Sequence, residues 1–519
     1  MLCGRPGRLL RVPTLYRNGR IHRPGGAPAS AMFVDGATVT WIGQDDGPGR
    51  RAGGAVVELA GRLVTPAFVD AHVHATSTGL ALTGLDLSSC ATLHAALDAV
   101  QRVARSSGGR PILGGGWDET HWPENRPPTA AELDRAAYGG SVYLARVDVH
   151  SAVVSSVLAA AVPGLAGLSG YRSDGWVTRD AHDAARTAAH RALRPTQIRD
   201  AQRAALHRAA SLGIGCVHEM AGPSISSAED LAGLLALAGE EPLPEVVGYW
   251  GELFGIETAR ELGAAGAGGD LFCDGSLGSH TAALGQPYAD RPETRGELRF
   301  DTADLAEHIA RCSDAGLQAG FHAIGDAAVD QVLDAVDLVT ARLGRSGGAG
   351  HRIEHVEMVQ DPARLAASEL VASLQPAFDA TWGGPAGMYA ERLGIDRAVT
   401  LNRFAELAAA GVPLAFGSDS PVTPVAPWAA VRAAAHPSHP DAAISVEAAF
   451  GAHTRGGWQA SGRRDAGTLT PGSPATFAVW DAAESMQDLP DVSPGRDLPT
   501  CVQTVVRGVT IFQADPPHG

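Results

Sequence analysis

The feature that most limits the fold of this chain is a repeated alternation of short apolar runs with longer helical segments. The apolar runs are RPILGGGWD, GSVYLARVDVH, LGIGCVHE, PEVVGYW, GDLFCDG, GLQAGFHAIGD, HRIEHVE, LVASLQP and VPLAFGSDSP. A strand between helices, repeated about eight times, predicts a parallel α/β fold, with a TIM-like (β/α)8 barrel favoured. Several runs end in His, Asp or Glu, and the carboxyl ends of barrel strands form the face that carries active sites.

The two ends of the chain have a different texture. The N-terminal part contains short β-like pieces (LYRNGRI, AMFVDGATVTWIG, AVVEL) between glycine turns, and the C-terminal part returns to this pattern with ATFAVWD and CVQTVVRGVTIF. Such short strands between turn residues are typical of an antiparallel sandwich. We therefore predict a composite β-sandwich domain from residues 1–64 and 467–519, and a barrel domain with inserted loops over residues 65–466.

The composition argues against several classes of partner. The chain has 57 acidic and 41 basic residues, and its formal charge of −16 would repel nucleic acid and anionic membranes. The six cysteines have no paired spacing, the first residues lack the apolar core of a signal peptide, and no apolar run approaches the roughly 20 residues that cross a bilayer. We expect a cytoplasmic protein with a small-molecule substrate, and a homodimer as the default assembly.

The stretch TPAFVDAHVH places His72 and His74 at the end of an apolar run. Side chains two residues apart on a strand point to the same side, so these two imidazoles can bind one metal ion. Zinc and similar ions bind imidazole nitrogen or carboxylate oxygen at about 2.0–2.2 Å, and a catalytic site keeps one position for water. Later strand ends offer His322, His355 and Asp419. These five ligands suffice for one divalent ion, zinc first and manganese as the alternative, and could serve two.

Further motifs follow TPAFVDAHVH in a fixed order: GGGWDETHWPENRPPTAAELD, DVHSAVVSS, DGSLGSHTAAL, FHAIGDAAVDQVLDA, HRIEHVEM, GVPLAFGSDSPV and GTLTPGSPATFAVWD. Over nearly its whole length the chain thereby resembles the amidohydrolase superfamily, and within it the amidohydrolase family 3 group that includes N-substituted formamide deformylase. The resemblance implies a metal-dependent hydrolase that cleaves a non-peptide C–N bond, in an amide or an N-formyl or N-acyl amine, with metal-activated water.

The resemblance also implies a role for each ligand. His72 and His74 would come from strand one, His322 from strand five, His355 from strand six and Asp419 from strand eight. Asp419 would be the catalytic residue, because it would take a proton from the attacking water and then donate it to the leaving nitrogen.

The chain departs from many binuclear relatives because it contains no lysine, and those relatives bridge two metals with a carboxylated lysine on strand four. Two dications about 3.5–4 Å apart repel by roughly 17–19 kcal/mol at an effective dielectric of 20, so a second ion needs a bridging anion. Asp270 stands where relatives often carry lysine, and Glu219 is the other candidate. Because Glu219 follows His218 on a strand, only one of the two would face the barrel interior. We favour one firmly bound ion, with a second dependent on a carboxylate bridge.

The substrate pocket is assigned partly by resemblance, which places Trp117 and His150 in its wall. The alternatives are plain packing for Trp117 and a helix contact for His150. Asp274 would face the lumen together with Asp270, although a turn or a helix cap is an equal alternative for the Asp-Gly pair. Glu354 precedes the ligand His355, so we expect it to face away from that ligand and to serve as a hydrogen-bonding partner.

Two other functions are compatible with such a barrel. A mononuclear metal deaminase of this superfamily typically carries a catalytic Glu near the histidine of strand five, but AIGD follows His322. A non-catalytic amidohydrolase-like scaffold should show broken ligand positions, whereas every proposed ligand is intact. The sequence therefore favours the hydrolase.

Overall fold

The structure is a computed structural model that describes residues 12–46, 54–147, 151–483 and 489–515. Its strands are β1 (Thr14–Arg17), β2 (Arg20–Ile21), β3 (Ala31–Asp35), β4 (Thr38–Gly43), β5 (Ala55–Glu58), β6 (Leu63–Pro66), β7 (Phe68–Val73), β8 (Leu85–Asp86), β9 (Ile112–Trp117), β10 (Val142–Arg146), β11 (Ser151–Val154), β12 (Trp176–Thr178), β13 (Ile214–Ala221), β14 (Glu245–Trp250), β15 (Gly266–Ala267), β16 (Gln318–Ala323), β17 (Arg352–His355), β18 (Val371–Leu374), β19 (Leu414–Phe416), β20 (Phe477–Asp481), β21 (Thr500–Val506) and β22 (Val509–Gln513).

The α-helices are α1 (Ala75–Thr83), α2 (Leu93–Ser107), α3 (Ala130–Ala136), α4 (Ser156–Ala160), α5 (Arg179–Arg191), α6 (Pro195–Ser211), α7 (Ala228–Glu240), α8 (Ile256–Leu262), α9 (Thr302–Ala315), α10 (Asp326–Leu343), α11 (Pro362–Ala367), α12 (Pro376–Trp382), α13 (Met388–Leu393), α14 (Ile395–Ala398), α15 (Phe404–Ala410), α16 (Pro427–Ala435), α17 (Val446–Gly451) and α18 (Gly457–Ala460). Within the four described ranges, none of the helices combines the length and the apolar character that a bilayer span requires.

A parallel sheet of eight strands forms the centre of the fold in the described part of the chain. Its order is β19-β18-β17-β16-β15-β14-β13-β7. The first and last strands approach each other, because Val73 at the end of β7 bridges Ser420 just after β19. The sheet is thereby nearly closed, and helices surround it. This arrangement confirms the predicted TIM-like (β/α)8 barrel.

The junction between α6 and β13 illustrates how the sequence builds one unit of the barrel. The helix ends at Ser211, Gly213 adopts a φ of 78°, and β13 then runs through the core with every residue buried. A Cβ atom at Gly213 would lie 2.2 Å from the ring of Trp480. Only glycine satisfies both the left-handed backbone and this close approach.

The two ends of the chain supply a pair of smaller sheets, with strand orders β4-β3-β1-β5 and β2-β6-β20-β21-β22. Residues of both sheets share one apolar core, in which the rings of Tyr16 and Phe477 meet edge to face at 5.0 Å. The two sheets thus form a small β-sandwich built from both termini, and its core is separate from the barrel interior.

The described residues between 75 and 205 form a compact unit of their own, and those of 1–74 and 206–519 form another. The smaller unit contains a sheet of order β12-β11-β10-β9-β8. The apolar runs RPILGGGWD and GSVYLARVDVH supply β9 and β10 of this sheet, so they are not barrel strands. The single barrel domain expected over residues 65–466 is therefore interrupted, because a buried strand has the same apolar composition in either sheet.

Candidate metal centre

Six polar side chains converge where the barrel strands end. They are His72 and His74 at β7, Asp270 after β15, His322 in β16, His355 in β17 and Asp419 after β19. Their nitrogen and oxygen atoms form three overlapping groups, and within each group the atoms lie within 4.8 Å of one another. Residues far apart in the chain meet here because parallel strands bring their carboxyl ends to one face of a barrel.

Asp270 occupies the middle of this cluster. Its Oδ2 atom lies 3.3 Å from Nε2 of His72 and 3.2 Å from Nε2 of His74. Its Oδ1 atom lies 3.4 Å from Nδ1 of His322 and 3.4 Å from Nε2 of His355. One carboxylate oxygen therefore faces each pair of imidazoles, so the short aspartate side chain reaches both pairs.

The second nitrogen of each imidazole is held by a fixed acceptor. The four hydrogen bonds run from His72 Nδ1 to Glu354 Oε2 (3.0 Å), His74 Nδ1 to the Met220 carbonyl (2.9 Å), His322 Nε2 to the Gly275 carbonyl (3.1 Å) and His355 Nδ1 to Gln375 Oε1 (2.9 Å). Because each of these nitrogens donates outward, the other nitrogen turns toward Asp270. This is the orientation that metal-ligating histidines require. Four such nitrogens and two carboxylates are a donor set that fits zinc, and manganese as well.

Asp419 faces the first pair of histidines. Its Oδ1 atom lies 3.1 Å from Nε2 of His74 and 3.5 Å from Nε2 of His72. The residue has a φ of 52°, and its backbone N–H donates to the carbonyl of His72 over 2.8 Å. This bond joins the end of β7 to the segment after β19 and fixes the carboxylate beside the imidazoles.

The electrostatics of the cluster favour a bound positive charge. Burial disfavours a charged imidazole, but Asp270 and Asp419 outweigh it and raise the pKa of His72 to about 10. Burial would also raise the pKa of Asp270, yet the surrounding histidines hold it well below the usual range of an aspartate. The pKa of Asp419 is lowered in the same way, so both carboxylates are ionised at neutral pH although they are buried.

A buried arginine supports the first ligand. Arg352 has no exposed surface, and its guanidinium donates to both carboxylate oxygens of Glu354, to the Ala71 carbonyl over 2.7 Å and to Nδ1 of His218 over 3.1 Å. Burial would raise the pKa of Glu354, but the charges of Arg352 and His72 lower it to about 2. Glu354 is therefore a permanent carboxylate that orients His72.

The positions of Glu354 and His355 depend on the end of β17. The strand ends at His355, which has a φ of 70°. Because of this positive φ, His355 turns toward the barrel interior, and its neighbour Glu354 contacts the interior as well. Regular alternation would send the two to opposite faces.

Arg352 was not among the predicted site residues. Its signal is the R-x-E spacing on one strand face, which places a guanidinium beside a carboxylate.

The two other predicted carboxylates lie differently. Glu219 is buried in β13 but belongs to none of the three ligand groups found among the described residues. Asp274 accepts hydrogen bonds from the backbone N–H groups of Ala283, Ile324 and Gly325 at 2.8–3.1 Å. It therefore organises the loops after β15 and β16, which matches the turn interpretation, and its substrate-binding role stays a prediction.

Trp117 and His150 are the other two predicted pocket residues. Trp117 is fully buried in the core of the unit over residues 75–205, where its Nε1–H donates to the Leu144 carbonyl over 3.1 Å. His150 lies outside the described residues. Both assignments to the substrate pocket stay predictions.

Aromatic rings adjoin the second pair of histidines. Phe378 stacks on His355 with ring centroids 6.1 Å apart, and Trp382 packs against Phe378 at 4.8 Å. Phe272, which alternates with Asp270 along the chain, lies 4.7 Å from His322. The cluster of ligands is thus bordered by apolar surface suited to an organic substrate.

Known proteins share this architecture. A family model described as the Amidohydrolase family matches residues 55–512. Amidohydrolase YtcJ of Bacillus subtilis is 27% identical over 79% of this chain and 80% of its own, and N-substituted formamide deformylase of Arthrobacter pascens is 25% identical over 87% and 90%. An uncharacterized metal-dependent hydrolase of Pyrococcus furiosus superposes with a TM-score of 0.77 and 28% identity, over 90% of this chain and 98% of that one.

Proposed function

The chain belongs to the Amidohydrolase family, and from this premise we propose that it hydrolyses a non-peptide C–N bond in a small molecule, in an amide or an N-formyl or N-acyl amine. The observation that carries the proposal is the convergence of four oriented imidazoles on Asp270. The relative named N-substituted formamide deformylase supports the choice of bond.

The residues that would hold the metal are two pairs of histidines with Asp270 between them. His72, His74, His322 and His355, together with Asp270 and Asp419, would hold one divalent ion and could hold a second. Zinc is our first choice. The bound metal would supply a lowered pKa for water and polarisation of the substrate carbonyl.

Side chains of the protein would transfer the proton of the attacking water to the leaving nitrogen. Burial alone would raise the pKa of Asp419, but His72 and His74 lower it, so the carboxylate is ready to accept a proton at neutral pH. Asp419 would take this proton from the attacking water and pass it to the leaving nitrogen, which departs as a neutral amine. Glu354 would keep Nδ1 of His72 protonated, so that Nε2 remains a ligand.

The test combines metal analysis with a panel of N-formyl and N-acyl amines. Protein loaded with zinc or manganese should release amine and acid, while His72→Ala should lose metal and activity together. Asp419→Asn should keep most of its metal but lose about 10²-fold or more in kcat, as expected for removal of a general base. His207→Ala, at an exposed position of α6, is the matched control. Wild-type protein that binds no metal, or an Asp419→Asn variant with full activity, would contradict the proposal.

A further inference from the structure

A positively charged side chain lies one ring away from the candidate ligands. The ring of Phe272 contacts His322 on the barrel side, with centroids 4.7 Å apart. The guanidinium carbon of Arg299 lies over the same ring, 5.4 Å from its centroid. The backbone N–H of Arg299 donates to the Cys273 carbonyl over 2.9 Å, so the arginine is anchored beside the segment that carries Asp270.

Arg299 is exposed, and its guanidinium forms no hydrogen bond or ion pair with any residue that the structure describes. Three other basic side chains that adjoin the loop after β15 do contact protein groups. Arg392 pairs with Asp290 at 2.7 Å, His280 contacts the same carboxylate at 2.9 Å, and Arg295 donates to the Gly285 carbonyl over 2.8 Å. The chain has a net charge of −16, and yet the Arg299 guanidinium near the candidate metal-binding residues is not paired with a described carboxylate. It is therefore available to bind an anionic small molecule.

We propose that Arg299 binds a carboxylate of the substrate and thereby selects N-acyl amines that carry an anionic group. This inference rests on the proposed hydrolysis of such amines at the metal centre. A guanidinium that lies over an aromatic face keeps its N–H edge free, and this edge pairs with both oxygens of a carboxylate. The body of the substrate would pack along Phe272, with its acyl group toward His322 and its carboxylate toward Arg299.

The test uses two probes of nearly the same shape that differ at one group, N-formyl-4-aminobenzoate and its neutral 4-carboxamide. Their dissociation constants are measured by calorimetry on zinc-loaded protein, and kcat/KM is measured in parallel. The wild type should bind the carboxylate about 10-fold more tightly than the amide. This factor corresponds to the lower end of the free energy of charge-assisted hydrogen bonds, because Arg299 is exposed. Arg299→Gln should abolish this preference and leave the affinity for the amide unchanged, Arg299→Lys should keep part of it, and added salt should narrow it in the wild type.

Arg291→Gln, at an exposed position of the same loop, is the matched control and should behave as the wild type. Equal affinity of the wild type for both probes, or an equal loss for both in Arg299→Gln, would overturn the assignment. If the neutral probe is hydrolysed and the carboxylate is not preferred, the role of Arg299 is contradicted but the proposed reaction is not. A preference in binding that depends on Arg299, with no hydrolysis of either probe, supports that role and contradicts the proposed reaction.

Discussion

Replacement of Glu354 by glutamine tests whether a buried carboxylate orients the first metal ligand. Glu354 has no exposed surface and accepts hydrogen bonds from both His72 and Arg352. Glutamine has nearly the same shape, but its amide group carries one acceptor oxygen and one donor nitrogen. At least one of the two donors then faces another donor, and the side chain no longer carries the negative charge that holds the proton on Nδ1 of His72.

The structure gives the expected size of two separate effects. Loss of the partner of a metal-bound histidine typically lowers metal affinity by 10- to 100-fold. Arg352 remains buried without its counter-charge, although it still contacts Ala71 and His218, and a buried ion pair broken on one side costs about 3–5 kcal/mol of stability. We therefore expect Glu354→Gln to bind zinc at least about 10-fold more weakly and to unfold at clearly lower urea concentration.

Two further variants separate orientation from stability. In the double variant Arg352→Met/Glu354→Gln neither charge of the buried pair remains, so part of the stability should return while the affinity for zinc stays low. Glu406→Gln removes the carboxylate of the exposed Arg403–Glu406 pair and should change neither quantity, since exposed pairs contribute about 0–1 kcal/mol. Affinity is measured by competition with a chromophoric chelator, and unfolding by far-UV circular dichroism. A folded Glu354→Gln variant with the zinc affinity of the wild type would refute the orienting role.

Three other changes give equally direct outcomes. Asp270→Asn should hold at most one metal ion per chain by elemental analysis, because two dications without a bridging anion repel by roughly 17–19 kcal/mol at an effective dielectric of 20; two ions per chain would refute the bridge. Burial lowers the pKa of His351 to about 4 in the folded protein, whereas the same imidazole in the unfolded chain is protonated below about pH 6.5. The free energy of unfolding should therefore fall as the pH drops from about 6.5 to 4, by up to about 3 kcal/mol. His351→Gln should unfold with a shallower pH dependence across this window, and an unchanged slope would contradict the assignment. Gly213→Ala should lower the free energy of unfolding in urea by on the order of 2–4 kcal/mol, because the methyl group meets the ring of Trp480 at a position with left-handed backbone. An unchanged free energy of unfolding would show that the α6–β13 junction accommodates the methyl group.

The barrel could be predicted because it depends on local pattern, whereas the assignment of the metal ligands rests on the family resemblance and stays a prediction. An apolar run followed by a polar residue marks a strand that ends at the active face, and the order of these runs gives the order of the strands. The inward turns of His355 and Asp419 could not be predicted in this way. Both residues have positive φ values, 70° and 52°, and such conformations are imposed by the surrounding barrel rather than by the residue type.

The smaller unit escaped prediction for a related physical reason. The runs that form β9 and β10 are as apolar as the barrel strands. Composition reports that a strand is buried but not which sheet buries it. The distinguishing contact is the antiparallel pairing of β10 with β11, which joins residues that a single sequence does not mark as partners.

The reach of Asp270 is explained by the backbone that carries it rather than by its side chain. From the start of β15 the chain reads GAGGD, and a Cβ atom at Gly268 would lie 2.1 Å from the backbone nitrogen of Gly320 in β16. Two glycines opposite each other allow the backbones to approach more closely than side chains would permit. This close approach holds the segment that carries Asp270 against β16, the strand of His322. In a chain without lysine, the short aspartate side chain thus lies between the two pairs of histidines.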